Sequence, residues 1–110
     1  MMYLVVDGML SGTGIRDGAN GGYLDPSDSL SLELLRRLAN WLAEYEKEHY
    51  RGYKNESLTQ RLDQEGKEIA IAIRQEISDV KIAYWSDAYS IKEELMVSSD
   101  GGSFFWVKVN

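Results

Sequence analysis

Two amphipathic stripes occupy the middle of the chain, and they limit its possible folds more than any other feature. Leu34, Leu35, Leu38, Trp41, Leu42 and Tyr45 recur at i, i+1, i+4, i+7, i+8 and i+11. At 100° per residue they gather into a stripe about 120° wide, the pattern of a helix with one face on a core. Ser31 stands where an N-cap belongs, Leu30 and Leu35 are spaced as a hydrophobic staple, and Glu33 falls in the first turn, where the helix dipole favours a carboxylate. The spacing predicts a helix over 31–50, stopped by Gly52. Leu58, Leu62, Ile69, Ile73 and Ile77 line one face of a second helix over 57–78, with Ser57-Leu58-Thr59-Gln60 as its capping box. Gly66 lies on that same face at a propensity cost of about 1 kcal/mol, so another element, with Trp41 as the candidate, is expected to approach closely there. Ile71 lies on the opposite, polar side.

Strands flank these helices. Residues 1–7 read as a short buried strand ended by Asp7-Gly8, and 80–86 as a second strand that follows Ser78-Asp79. Residues 94–109 read as a hairpin around Ser99-Asp100-Gly101-Gly102, and residues 87–95 leave helix and strand open. Between the first strand and the first helix, residues 8–30 hold six glycines and the only proline. This long Gly-rich loop leaves room for a hairpin turning at Asp17-Gly18. The simplest architecture that buries both stripes is an α+β domain. It has an antiparallel or mixed sheet of three to four strands, with two helices on one face. At 110 residues the chain accommodates one such domain, 1–110.

Charge and composition exclude several functions. With 18 acidic and 12 basic side chains the formal charge is −6, so direct nucleic-acid binding, which needs a basic surface, is not expected. There is no cysteine, which removes disulfides, thiolate metal sites and thiol nucleophiles. No apolar run approaches the roughly 20 residues of a membrane span, and no signal-peptide pattern is present, so no membrane association and a cytoplasmic location are expected.

The candidate sites are few. Gly12-Thr13-Gly14-Ile15-Arg16-Asp17-Gly18 has the spacing of neither a dinucleotide fingerprint nor a P-loop and reads as turn chemistry. Asp17, Asn20, Asp25 and Asp28 meet only part of an EF-hand pattern, so no metal site is assigned to them. His49, the only histidine, falls on the apolar stripe as a packed or capping residue, and Glu44 and Glu48 read as a solvated flank. Trp85 and Trp106 lie in strands that carry apolar groups on both faces. This is more apolar surface than two helices cover, and it suggests a partner surface or self-association. Tyr23, Tyr53 and Tyr89 fall in loops as possible interface anchors.

The start MYLVVDGMLSGTGIRDG, the helix LRRLANWLAEYEKEHY and the helix LDQEGKEIAIAIRQEI leading into VKIAYW carry a family resemblance. Trp41-Leu42-Ala43-Glu44-Tyr45-Glu46 and the segment from Asp63 to Ala70 contribute most of it. Over about residues 1–86 the chain resembles small bacterial immunity proteins of polymorphic toxin and contact-dependent growth inhibition systems. The resemblance implies an α+β binding protein, not an enzyme, with no cofactor, that neutralises one cognate toxin protein by stoichiometric contact. It carries over no individual site residue. Many such toxins are nucleases with basic clefts, to which an acidic inhibitor is steered. Residues 1–30 sum to −3, 31–55 to +1, 56–79 to −3 and 80–110 to −1. The expected contacts are therefore Asp17, Tyr23, Asp25 and Asp28 of the loop, with Asp63 and Glu68 as outer acids of the second helix and Ile71 beside them. Two alternatives stay open. One is a small enzyme or ligand-binding domain that uses the Gly-rich loop, and the other is an accessory subunit that dimerises through the 104–109 edge.

Overall fold

The structure, a computed structural model, describes residues 2–109; Met1 of the expected first strand and Asn110 lie outside the described residues. The order is β1 (Met2–Asp7), β2 (Ile15–Asp17), α1 (Leu32–Tyr50), α2 (Glu56–Glu76), β3 (Val80–Ser86), β4 (Ile91–Val97) and β5 (Phe104–Val109). The fold is α+β, with two helices against one face of a mixed sheet in the order β2-β1-β3-β4-β5. β1 and β3 are parallel, Leu4 beside Ile82 and Val6 beside Tyr84, and every other pairing is antiparallel. A parallel pair needs a long crossover, which the two helices supply.

The sheet has five strands, where three to four were expected. One extra strand is β2, which lies inside the Gly-rich loop. Met9 to Thr13 are not extended, and the chain returns to pair Ile15, Arg16 and Asp17 with Val6, Val5 and Leu4. The other difference is β4, which begins at Ile91 and so resolves the ambiguous segment as strand. Ile91-Lys92-Glu93-Glu94 pairs with Ala83 to Ser86, and the cross-strand partners outweigh the helix propensity of its glutamates.

α1 is capped as expected, with Leu34 N donating to Ser31 Oγ at 3.2 Å. It stops where Gly52 takes φ +74° and Tyr53 N reaches back to Glu48 O at 2.9 Å. α2 is capped two residues before the expected capping box. Asn55, not Ser57, is the N-cap, its Oδ1 accepting from Leu58 N at 3.1 Å. The helices are antiparallel and joined at their far ends: Ser31 N and Oγ donate to the two carboxylate oxygens of Glu76, each at 2.7 Å.

The core is built mainly from the two predicted stripes, although Leu35, Leu42, Leu58 and Ile77 are only partly buried at its margin and Ala70 joins it. Leu34, Leu38, Trp41 and Tyr45 of α1 and Leu62, Ile69, Ala70 and Ile73 of α2 close on Leu4, Val6, Val80, Ile82 and Tyr84 of the sheet. Gly66 is the point of closest approach: a Cβ there would stand 2.6 Å from Trp41 Cζ2, with the Tyr84 ring on its other side.

Candidate functional site

The acids of the Gly-rich region, Asp17, Asp25 and Asp28, are exposed or half-buried. Backbone N–H groups of Asn20 and Ala19 donate to Asp17 Oδ1 at 3.1 and 2.9 Å, and they hold that carboxyl below its usual range. Ser27 N does the same for Asp25 at 3.0 Å. Asp28 is exposed. Asn20 turns its Nδ2, not its Oδ1, toward Asp17 Oδ2 at 3.2 Å, so these two side chains do not gather their oxygens around one point as a calcium loop requires. Among the described residues no group of three or more His, Asp or Glu side chains converges on a point that could hold a metal ion.

Tyr23 is a structural post. Its ring packs over Gly12 and its hydroxyl donates to Asp7 Oδ1 at 2.7 Å. Asp7, at the end of β1, is fully buried and faces Arg16 Nη2 at 2.9 Å. Burial pushes its carboxyl above the usual range, against the opposing pull of the Tyr23 hydrogen bond and the Arg16 charge.

Asp63 is not an outer acid. It is buried between α1, α2 and β3 and accepts from three hydroxyls: Tyr45 at 2.8 Å and Tyr84 at 2.6 Å on Oδ1, and Ser86 at 2.6 Å on Oδ2. Tyr45 OH in turn accepts from Ala88 N at 3.2 Å and Ser86 Oγ from Tyr89 N at 3.2 Å, so the network also fixes the turn after β3. Burial, with the Asp63 charge as the next contribution, pushes both tyrosine hydroxyls well above their ordinary range and keeps them proton donors. The signal was in the sequence: at 100° per residue Asp63 lies about 60° from Gly66, inside the apolar stripe with Thr59 and Ala70. Glu48 corrects the same way. It continues the Leu34–Tyr45 stripe, is buried, and is held by Arg51 Nη1 at 2.7 Å, so the expected solvated flank keeps only Glu44.

A third carboxylate completes this end of the sheet. Tyr53 OH donates to Asp87 Oδ2 at 2.8 Å, and His49 Nδ1 lies 3.2 Å from the same hydroxyl. His49 is therefore neither packed into the core nor a cap. It sits half-exposed beside Tyr53, while Tyr45 and Glu48 take the inward positions. Tyr53 is likewise engaged, and of the three loop tyrosines only Tyr89 is exposed. Thus at the carboxyl ends of the parallel strands three aspartates are each held by tyrosine hydroxyls. Beside Asp63 a crevice of about 290 Å³ is lined by Gln60, Gln64, Lys67, Tyr84, Ser86 and Lys108, among others. Ser86 donates its proton to Asp63, and the His49 ring answers to Tyr53, so the described contacts include no serine–histidine pair.

On α2, Glu68 is exposed and lies 3.5 Å from Arg37 Nη2, while Arg37 Nε donates to the closer partner Glu65, and Ile71 is half-buried. No described hydrogen bond or ion pair joins these two residues to the Asp17–Asp28 segment.

The charge is partitioned between the two sides of the sheet. Strand alternation and register put Arg16, Tyr3, Val5, Asp7, Lys81, Ala83, Trp85, Lys92, Glu94, Met96, Phe105, Val107 and Val109 on the face away from the helices. Lys81 and Lys92 both lie over the Tyr3 ring, at 4.9 and 5.1 Å from its centroid. Three cations against two carboxylates, one of them the buried Asp7, give this side of the sheet a formal +1, and the remaining residues sum to −7.

Compared with known protein families, with curated proteins and with solved structures, the chain gives no match in any of the three.

Proposed function

We propose that this chain is a non-catalytic inhibitor of the immunity-protein type, which binds one cognate toxin protein stoichiometrically and acts in the cytoplasm. The observation that supports this reading is the charge partition. The negative charge is concentrated off the open sheet face, and Asp25, Asp28 and Glu68 are exposed within it, with Asp17 half-buried at the end of β2. A basic cleft that binds phosphates would be steered to that side, and the carboxylates would stand where its phosphates go, so a nuclease is the favoured toxin class. Asp17, Asp25, Asp28 and Glu68 are the contact residues in this reading, and Ile71, half-buried beside Glu68 on α2, is the apolar contribution. Tyr23 supports them from behind through Asp7. Asp63 drops out of the contact set because its oxygens are taken by three internal hydroxyls.

The test is genetic and then biochemical. The reading frame next to this one is expressed with and without this chain, and growth is measured. The reading expects growth arrest that this chain relieves, and a purified complex of one copy of each protein. A neighbouring metabolic enzyme, or a toxin whose effect persists with this chain in excess, contradicts it.

A further inference from the structure

The sheet ends in two unlike edges. β2 is three residues long, and Arg16 is bridged to Tyr23 of the following loop. β5 runs for six residues with unbroken pairing to β4, from Phe104 opposite Val97 to Val109 opposite Lys92, and nothing pairs with its other side among the described residues. Soluble proteins ordinarily blunt such an edge with proline, a bulge, an inward charge or a covering segment. β5 has no proline, no bulge and no covering segment; its one charge, Lys108, is on the helix face, where Glu93 opposite offsets it.

The hairpin is also apolar on both faces. Met96, Phe105, Val107 and Val109 on the open face and Val97 and Phe104 on the helix face are each between 36% and 48% exposed. The four on the open face lie side by side across β4 and β5, so the exposed apolar surface there is contiguous. The helix layer reaches this edge at Trp106, which packs partly buried against the core with Lys67 Nζ 5.9 Å from its ring centroid, and it leaves Phe104 exposed.

We propose that a second copy of this chain covers the edge. β5 pairs antiparallel with the partner's β5 about a two-fold axis normal to the sheet, and the two sheets become one of ten strands. Directly opposed residues of an antiparallel pair share a face, so only registers centred on a residue keep the open faces together. Centred on Trp106, the pairing sets Lys108 opposite Phe104 of the partner subunit; centred on Val107, it sets Lys108 opposite Trp106 of the partner subunit. In both registers the only charge in the strand meets an aromatic ring and no like charges oppose each other, which is the complementarity a strand needs to pair with itself. The apolar strip of the open face then runs unbroken through Phe105 and Val107 of both copies. This surface lies at the opposite sheet edge from the Asp17–Asp28 segment, so the proposal stands apart from the toxin-binding reading.

The experiment uses the intact chain in sedimentation velocity from micromolar to hundreds of micromolar, at low and high salt. A monomer–dimer equilibrium is expected. Because two copies at −6 repel each other, the dimer should tighten as salt rises, opposite to binding of a basic partner. Val107→Lys, at an exposed position, should weaken the dimer about tenfold or more. Because the chain has no cysteine, the register can be read by oxidation of single-cysteine variants. Trp106→Cys or Val107→Cys should cross-link, whichever lies on the axis. Phe104→Cys should not, because its two copies would be separated by more than the roughly 7 Å a disulfide spans. Should Trp106→Cys fail to fold, Val107→Lys and Val107→Cys carry the test. A monomer throughout the range, or a dimer unaffected by Val107→Lys, overturns the proposal.

Discussion

At the residue scale, stability depends on carboxylates that residue type alone would assign to solvent. Asp63 organises Tyr45, Tyr84 and Ser86, and removing it leaves three buried hydroxyl donors without an acceptor. Asp63→Ala should therefore destabilise the fold by about 3 kcal/mol in urea unfolding; a loss near that of a surface acid, under about 0.5 kcal/mol, would remove Asp63 from the core. Gly66→Ala sets two effects against each other. The helix gains about 1 kcal/mol of propensity, but the new methyl meets the Trp41 and Tyr84 rings. Overpacking of a rigid aromatic contact costs typically 1–3 kcal/mol, so a net loss of about 1 kcal/mol is expected, where an exposed glycine would show a gain. Asp7 gives a pH signature. Its folded pKa is raised above the ordinary 3.8, so the folded state holds the proton more tightly and stability falls as pH rises between the two values. Asp7→Asn does not titrate and keeps an acceptor for Tyr23. Its stability relative to the natural chain should rise with pH across that window and then level off. A relative stability that falls with pH across the window would mean that the Arg16 pair, and not burial, dominates.

At the scale of elements, the helices were legible and the sheet less so. The Leu34–Tyr45 stripe, the Ser31 cap and the Gly52 stop are local signals, and each appears in the structure. Gly66 was legible as a close approach because glycine in mid-stripe has few other uses. β2 was not, since three residues inside a Gly-rich segment carry no periodicity and are held only by their pairing with Leu4, Val5 and Val6. β4 was hidden for a related reason: Glu93 is satisfied by Lys67 at 2.8 Å from another element, which no local pattern announces. The buried acids were misjudged because residue type was weighed above position on the stripe, where Asp63 and Glu48 both sit. Joining the elements, Ser31 both caps α1 and anchors Glu76 at the end of α2, where the dipole disfavours a carboxylate. Ser31→Ala should cost about 1–2 kcal/mol, the upper range for a cap, and Glu76→Gln should recover little further loss in that background. Additive losses would show that the two helix ends are not coupled.

At the scale of the whole molecule, a formal charge of −6 divides into +1 on the open sheet face and −7 elsewhere. An acidic total was legible from composition; its sidedness required the strand register, because Lys81 and Lys92 meet over Tyr3 from two different strands. No helix among the described residues is long and apolar enough to cross a membrane. The central claim is that the acidic side receives a basic protein partner. Its most direct measurement is the affinity of the chain for the product of the adjacent reading frame, the proposed toxin, as a function of salt, compared with the triple variant Asp17→Asn, Asp25→Asn, Asp28→Asn. The account predicts that binding of the natural chain weakens as salt rises, and that the triple variant binds more weakly with a flatter salt dependence. The same affinity and the same salt dependence in both proteins would contradict it.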